Sequence, residues 1–408
     1  MGAIPADFAG SGEVLRVSGR TAEELIAEAG DTPLFVYDLD VIAARVERFR
    51  AAFEGVELHY AIKANSYDVV LQHAAKLVDG FDVASAGEMR LAIVAGMEAD
   101  RISFAGPGKR SNELAEAVAA GVTLNCESEG EAERALAIGR EQGVQAKLAV
   151  RVNPDFEIKG SGMRMGGGAK PFGVDAERVP ALVRGIIDGG GDWRGFHIFA
   201  GSQALDAGAL IEAQRATVEL AGALSEEIGA APPLVNLGGG FGIPYFNGEQ
   251  VLDIEKVGEA LKEALASRHD LLRNTEFAIE LGRWLVGECG VYLTRIVDRK
   301  VSHGKTFLVT DGGMHHQLAA SGNFGQVIRR NYPVAIANRF AEAPVEEATI
   351  VGCLCTPLDR LADDVMLPHA DVGDVVAVFL AGAYGLSASP QAFLGQQAAL
   401  EIAVGGAN

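Results

Sequence analysis

The chain of 408 residues carries 35 lysines and arginines against 55 aspartates and glutamates, and its net charge of -20 opposes nucleic acid and anionic membrane as partners. That length exceeds one small core, and 49% hydrophobic residues suffice for a large barrel with a second domain. No apolar run is long enough to span a bilayer, and Met1 to Gly19 lacks the basic start and apolar stretch of a signal peptide, so a cytoplasmic location is expected.

Short β-branched and apolar runs recur in chain order. They predict strands near Glu57–Ile62, Phe81–Ala84, Ile102–Ala105, Val122–Asn125, Lys147–Asn153, Gly195–Phe199, Leu234–Leu237 and Phe277–Glu280. Alanine-rich amphipathic segments, such as Ala115–Ala120, Glu129–Gln142 and Ala209–Ile228, lie between them. Eight strands alternating with helices predict a (β/α)8 barrel over residues 33–283, with an open doubly wound sheet as the structural alternative. The glycine-rich segment Phe156–Gly173, with Lys159, Arg164 and Lys170, reads as a loop over the barrel mouth. After Arg283, Val291–Val297, Lys305–Thr310, Glu347–Val351 and Val375–Ala381 alternate or run apolar with turns between. They predict an all-β domain over 284–408, to which residues 1–32 add a strand near Val14–Val17.

The reactive residues collect where the predicted barrel strands end, which is where barrels place their chemistry. Lys63 ends the first; Asp82 and Ser85 lie at the second; Asn125, Cys126 and Glu127 follow the fourth. Arg151 and Asn153 end the fifth, His197, Phe199, Gly201 and Ser202 the sixth, Gly238 to Gly242 the seventh, and Glu280 and Arg283 the eighth. A lone lysine at a strand end more often snorkels to solvent. Within such a ring, a poorly solvated amine becomes a nucleophile suited to an imine. The glycine run is either a tight turn or a phosphate cradle, with Ser202 and Arg283 as further anion ligands. Glu280, in an apolar run, is either one half of an internal salt bridge or the partner of a protonated ring nitrogen. Lysine, phosphate ligands and carboxylate together fit pyridoxal phosphate, with His197 or Phe199 to stack on its ring. The four cysteines, Cys126, Cys289, Cys353 and Cys355, are too sparse for a disulfide framework, and no second zinc-spaced pair exists, so no metal is expected.

Tyr60-Ala61-Ile62-Lys63-Ala64-Asn65, Gly201-Ser202-Gln203, Gly238-Gly239-Gly240-Phe241-Gly242, Glu280-Leu281-Gly282-Arg283 and Gly382-Ala383-Tyr384-Gly385 resemble the diaminopimelate/ornithine decarboxylase family of barrel-type pyridoxal phosphate enzymes. The resemblance covers nearly the whole chain in order. It implies an alanine racemase-like barrel followed by a β domain, and a homodimer with active sites completed across the interface. The imine lysine falls on Lys63, the ring-nitrogen carboxylate on Glu280, and the phosphate ligands on Ser202, Gly238, Gly239, Gly240, Arg283 and Tyr384. The partner-subunit cysteine that returns a proton to the substrate falls on Cys355, and Asp359, which closes that motif, is placed to meet a polar substrate tail.

Three departures bear on the substrate. Diaminopimelate decarboxylases follow the cysteine with a glutamate that reads a distal amine; here Thr356 stands there. Their stacking histidine lies three residues before the serine; here that position is Phe199, with His197 two residues earlier on the same face. Their Arg-Pro and Tyr for a distal carboxylate are replaced by Asp311-Gly312-Gly313-Met314-His315-His316, then Ser321 to Gln326 and Arg329-Arg330-Asn331-Tyr332. Thr356, Phe199 and the His315-His316 loop therefore carry the substrate choice. The pattern resembles decarboxylases acting on glutamate attached to an acyl-carrier protein, and those found with exosortase systems. An acidic carrier would need a local basic patch, from Arg329, Arg330, Lys159 and Arg164. The resemblance leaves authentic meso-diaminopimelate decarboxylation as the alternative. A racemase and a non-catalytic cofactor carrier are opposed by Glu280 and by the β domain with Cys355, respectively.

Overall fold

The computed structural model describes residues 2–10, 12–156, 163–164, 167–322 and 330–406. The chain divides into two units, one of Arg45–Gly242 with Val251–Gly282 and one of Met1–Ala44, Ile243–Gln250 and Arg283–Asn408. Among the described residues no helix is long and apolar enough to cross a membrane.

The first unit is a closed barrel of parallel strands: β1 (Glu57–Ala61), β2 (Gly80–Val83), β3 (Ile102–Phe104), β4 (Thr123–Cys126), β5 (Lys147–Asn153), β6 (Asp192–Ile198), β7 (Leu234–Asn236) and β8 (Glu276–Leu281). Pairing runs around the ring and closes where β8 meets β1, with Glu280 opposite His59. That closure excludes the open sheet. Side chains alternate along each strand. Leu58, Tyr60, Phe81, Phe104, Leu124, Leu148, Val150 and Val235 form an apolar set that is fully buried. The other face carries His59, Asp82, Asn125, Arg151, His197, Asn236 and Glu280, polar and also buried. A barrel floor this polar is costly unless its members satisfy one another or a ligand.

The helices start where the sequence supplies caps. Ser85 and Ser128, each two residues past a strand, accept from the backbone N–H of Glu88 at 3.1 Å and Glu131 at 3.2 Å. Asp206 and Asp253 do the same for Ala209 and Lys256. Each cap contributes about 1 kcal/mol and fixes the rim at which the strands end.

The second unit is built on the thirteen-residue strand Gly290–Ser302. Its first part pairs with Leu34–Asp38 and Val375–Phe379, its second with Lys305–Thr310. Glu346–Val351 and Arg360–Leu367 extend one edge, Val334–Ile336 the other, and Leu400–Val404 pairs with Leu34–Asp38. Near the predicted Val14–Val17, the described pairing is Arg16–Val17 with Arg20–Thr21, a short ribbon turned by Ser18 and Gly19. The N-terminal strand that joins the large sheet is Leu34–Asp38, buried along its whole length.

Candidate active site

In the barrel unit, β1 runs out at Ala61 and the chain turns through Ile62–Ala64. Ile62 and Ala64 are buried while Lys63 between them is exposed, so the turn throws the amine outward. The Tyr60 hydroxyl donates to the Asn65 carbonyl at 2.8 Å, and the Asn65 side chain accepts from the Tyr67 N–H at 3.0 Å. These two bonds hold the turn. The Lys63 ammonium lies 5.9 Å from the centre of the Phe199 ring. His197 is elsewhere engaged: its Nε2 is 3.0 Å from the Glu280 carboxylate, both side chains buried. Burial pushes the Glu280 carboxyl up. The His197 attraction and hydrogen bond, with Lys63 and Arg151 further off, outweigh burial and hold it below the usual carboxylate range.

The glycine run is locked to the same carboxylate-bearing strand. Gly238 and Gly240 have φ of +67° and +85°, open to glycine at little cost. The Glu280 N–H donates to the Gly238 carbonyl at 2.9 Å. A Cβ on Gly239 would stand 1.7 Å from the Glu280 carbonyl oxygen, and one on Gly240 2.1 Å from that of Gly201. Ser202 follows Gly201 on a short strand paired with Met163 and Arg164.

Arg151, Glu127 and Asp82, expected at strand ends, are engaged with polar neighbours, and Lys109, Glu131, Glu57 and His59 join them without having been singled out in the sequence. Arg151 donates to Glu127 at 2.8 Å, and Glu127 also accepts from the N–H groups of Gly106 and Gly173. Lys109 and Glu131 form a pair at 2.7 Å with both side chains almost wholly buried. Asp82 lies 3.5 Å from His59, whose other nitrogen meets Glu57 at 3.3 Å. Burial alone would lower the His59 pKa, but Asp82 and Glu57 together push it up to about 10.

In the second unit, Arg283 donates to the Tyr245 hydroxyl at 2.7 Å, and its guanidinium stands 5.3 Å and 4.7 Å from the ring centres of Tyr245 and Tyr384. The Arg283 Nε has no hydrogen-bond partner among the described residues. Tyr384 adopts a φ of +54°, a conformation unfavourable for a bulky residue. Tyr245 was unforeseen; nothing at the sequence level distinguishes it from a core aromatic.

The segment Gly352–Asp359 forms a tight loop in the same unit. The Asp359 carboxylate accepts the Met314 N–H at 2.6 Å and the Leu354 N–H at 2.8 Å. Gly313 and Gly352 lie so close that a Cβ on either would be 2.2 Å or 2.3 Å from that carboxylate. Burial raises the Asp359 carboxyl although the two amides oppose it. Thr356 turns its hydroxyl to the Leu358 N–H at 3.3 Å. Both side chains therefore shape the loop that carries Cys355, which is exposed, and Cys353, which is half-buried. His315 is wholly buried. Lys159 and Arg329 lie outside the described residues, as does the side chain of Arg164. Arg330 is 3.2 Å from Glu249 and 3.8 Å from the centre of the Phe246 ring.

Residues 39–287 match the model of the pyridoxal-dependent decarboxylase family, pyridoxal-binding domain. The chain belongs to this family. It is 37% identical over 383 residues to the L-glutamyl-[BtrI acyl-carrier protein] decarboxylase of Niallia circulans, covering 91% of this chain and 88% of that protein. It is 32% identical over 405 residues to the diaminopimelate decarboxylase of Archaeoglobus fulgidus, covering 98% and 94%. The crystal structure of Helicobacter pylori diaminopimelate decarboxylase complexed with L-lysine superposes with a TM-score of 0.83 at 27% identity, covering 94% of each chain. The protein is thus a pyridoxal phosphate-dependent decarboxylase, with the barrel and β-rich sheet of that family. Its residues suit the cofactor. In the barrel unit the glycine turn brings backbone close where side chains cannot fit, and Glu280 is held ionised, as a cationic ring would require; in the other unit, among the described residues, the Arg283 Nε has no partner, as an anion ligand would require.

Proposed function

We propose that this decarboxylase removes the α-carboxylate of a glutamate-like amino acid joined through its distal carbonyl to an acyl carrier protein. The single observation that carries this reading is the segment Asp311–Gly322, which holds neither lysine nor arginine, where a reader of a free distal carboxylate is expected. The Niallia relative, by its name, acts on a glutamyl group carried in this way. Such a group must be attached through its side-chain carbonyl, because decarboxylation needs the α-carboxylate free.

In this reading Lys63 would hold the cofactor aldehyde, and Phe199, whose ring centre is 5.9 Å from the Lys63 ammonium, would cover the ring. Ser202, the Gly238–Gly240 backbone, Arg283 and Tyr384 take the phosphate. Bound pyridoxal phosphate supplies the electron sink for the charge left when carbon dioxide departs. Glu280 keeps the ring nitrogen protonated, and His197 keeps Glu280 ionised and oriented at 3.0 Å. Cys355, on its exposed loop, returns the proton to Cα in the site of a second copy, so the working form is a homodimer.

The test is carbon dioxide release from a panel: the L-glutamyl carrier thioester, a γ-glutamyl thioester of a small thiol, free glutamate and meso-diaminopimelate. The thioesters are expected to turn over fastest. Faster turnover of meso-diaminopimelate would replace this reading with lysine biosynthesis.

A further inference from the structure

His315, His316 and Gln317 are consecutive, polar and at most 1% exposed. They follow a turn in which the Gly313 carbonyl accepts from the N–H groups of His316 and Gln317 at 3.0 and 3.1 Å. The three side chains are not equivalent. His316 is satisfied at both nitrogens, with Nδ1 3.1 Å from the Tyr292 hydroxyl and Nε2 2.8 Å from the Gln397 carbonyl. His315 packs on it with ring centres 3.7 Å apart. Among the described residues, neither nitrogen of His315 and neither amide atom of Gln317 has a hydrogen-bond partner. Such groups are rare in folded proteins and call for an occupant.

Their surroundings name its chemistry. Gln317 Oε1 lies 3.1 Å from where a Cβ on Gly385 would be, beside Tyr384, and His315 feels the Asp359 charge on the loop that carries Cys355. The cluster thus stands between two segments of its own unit that the proposed function assigns to cofactor and proton donor. Burial holds His315 below the usual histidine range against the pull of Asp359, and burial with its neighbour takes His316 down to about 4, so both rings are neutral near pH 7. The segment Asp311–Gly322 carries neither lysine nor arginine to meet an incoming carboxylate. A free distal carboxylate would be buried here unpaired. A carbonyl flanked by sulfur or N–H would find a donor in the His315 ring or the Gln317 amide, and an acceptor in the Gln317 oxygen.

We propose that His315 and Gln317 form the specificity-determining pair that receives the acyl carbonyl of the substrate side chain and selects it over a free carboxylate. This rests on the carrier-linked reading. Its test uses the product end of the reaction, so that binding is read apart from turnover. The pyridoxal phosphate-loaded enzyme is titrated calorimetrically with 4-amino-N-methylbutanamide and with 4-aminobutanoate. The amide is expected to bind at least ~10-fold tighter, as sites built to hydrogen-bond one group reject its mismatch. Gln317→Met should reduce that preference to below ~3-fold, and raise KM for the γ-glutamyl thioester ~10-fold with kcat nearly unchanged. His315→Gln, which keeps donor and acceptor, should retain most of the preference. Gln317→Arg should reverse it in favour of the acid, an outcome that a merely structural residue would not give. Equal binding of the two ligands by the parent enzyme, or a parent-like preference in both Gln317 variants, overturns the inference. If the parent enzyme favours thioesters in carbon dioxide release while these variants leave the preference intact, the inference alone falls. Faster turnover of meso-diaminopimelate by the parent enzyme removes the reading beneath it as well.

Discussion

Glu280 and Asp359 are both buried carboxylates, 7% and 2% exposed, yet their carboxyls are shifted in opposite directions. Burial penalises the charge in each. Glu280 has an imidazole at 3.0 Å, and that partner outweighs burial. Asp359 has two backbone amides, whose partial charges do not. The first arrangement keeps a charge ready at neutral pH. The second holds two loops together. Depth of burial alone would not have separated them.

The sharpest way to break this contrast is to neutralise each in turn. Glu280→Gln should lower kcat by ~10²- to 10³-fold, as loss of a preorganised charge does, and should also lower the urea midpoint at neutral pH, because buried His197 loses its charged partner. Carbon dioxide release and equilibrium unfolding on the same sample check both halves. Asp359→Asn should act mainly on stability. Its amide can accept from Met314 or Leu354 but not both, so stability should fall by ~1–3 kcal/mol, and activity should fall only as far as the Cys355 loop loosens. An Asp359→Asn enzyme that is fully stable but inactive would show that its carboxylate works on substrate.

The smaller effect is on pH dependence. Glu280 contributes stability that is present above the ordinary carboxylate range and lost as pH falls through its own lowered value. Asp359 has the opposite sign: its contribution is present at low pH and lost as pH rises through its raised value. His59 extends the comparison to a base. With its pKa raised from 6.5 to about 10, its contribution is complete below 6.5 and lost as pH rises through about 10. Between these values the slope should approach ~1.4 kcal/mol per pH unit, and His59→Gln should flatten it. Urea unfolding from pH 6 to pH 10 reads the slope; an unchanged slope in the variant would mean that the charge at His59 is not retained.

Much of this was legible before any coordinates. Buried parallel strands are short apolar runs with β-branched residues, and their ends are marked where polar residues resume, so Lys147–Asn153 and Lys305–Thr310 emerge with matching bounds. Strands that depend on distant partners were invisible. Leu34–Asp38 meets Gly290–Leu293 and Leu400–Val404, pairings that no local pattern encodes. Arg360–Leu367 hides behind Asp363 and Asp364, the latter at φ +45° where the register slips. In the site, Glu280 stood out as a carboxylate in an apolar run. That His197 would serve it follows from β6 and β8 flanking β7, which sequence does not reveal. The two amide donors to Asp359, at Met314 and Leu354, come from separate loops, which no local pattern encodes.

The contact between Gly239 and the Glu280 backbone has a wider consequence. The anion cradle and the ring carboxylate are joined by main chain, with no flexible side chain in between. That contact fixes the spacing between the glycine turn and the Glu280 strand. Thr356, His315 and Gln317 all belong to the other unit, so substitutions there leave this main-chain contact unaltered.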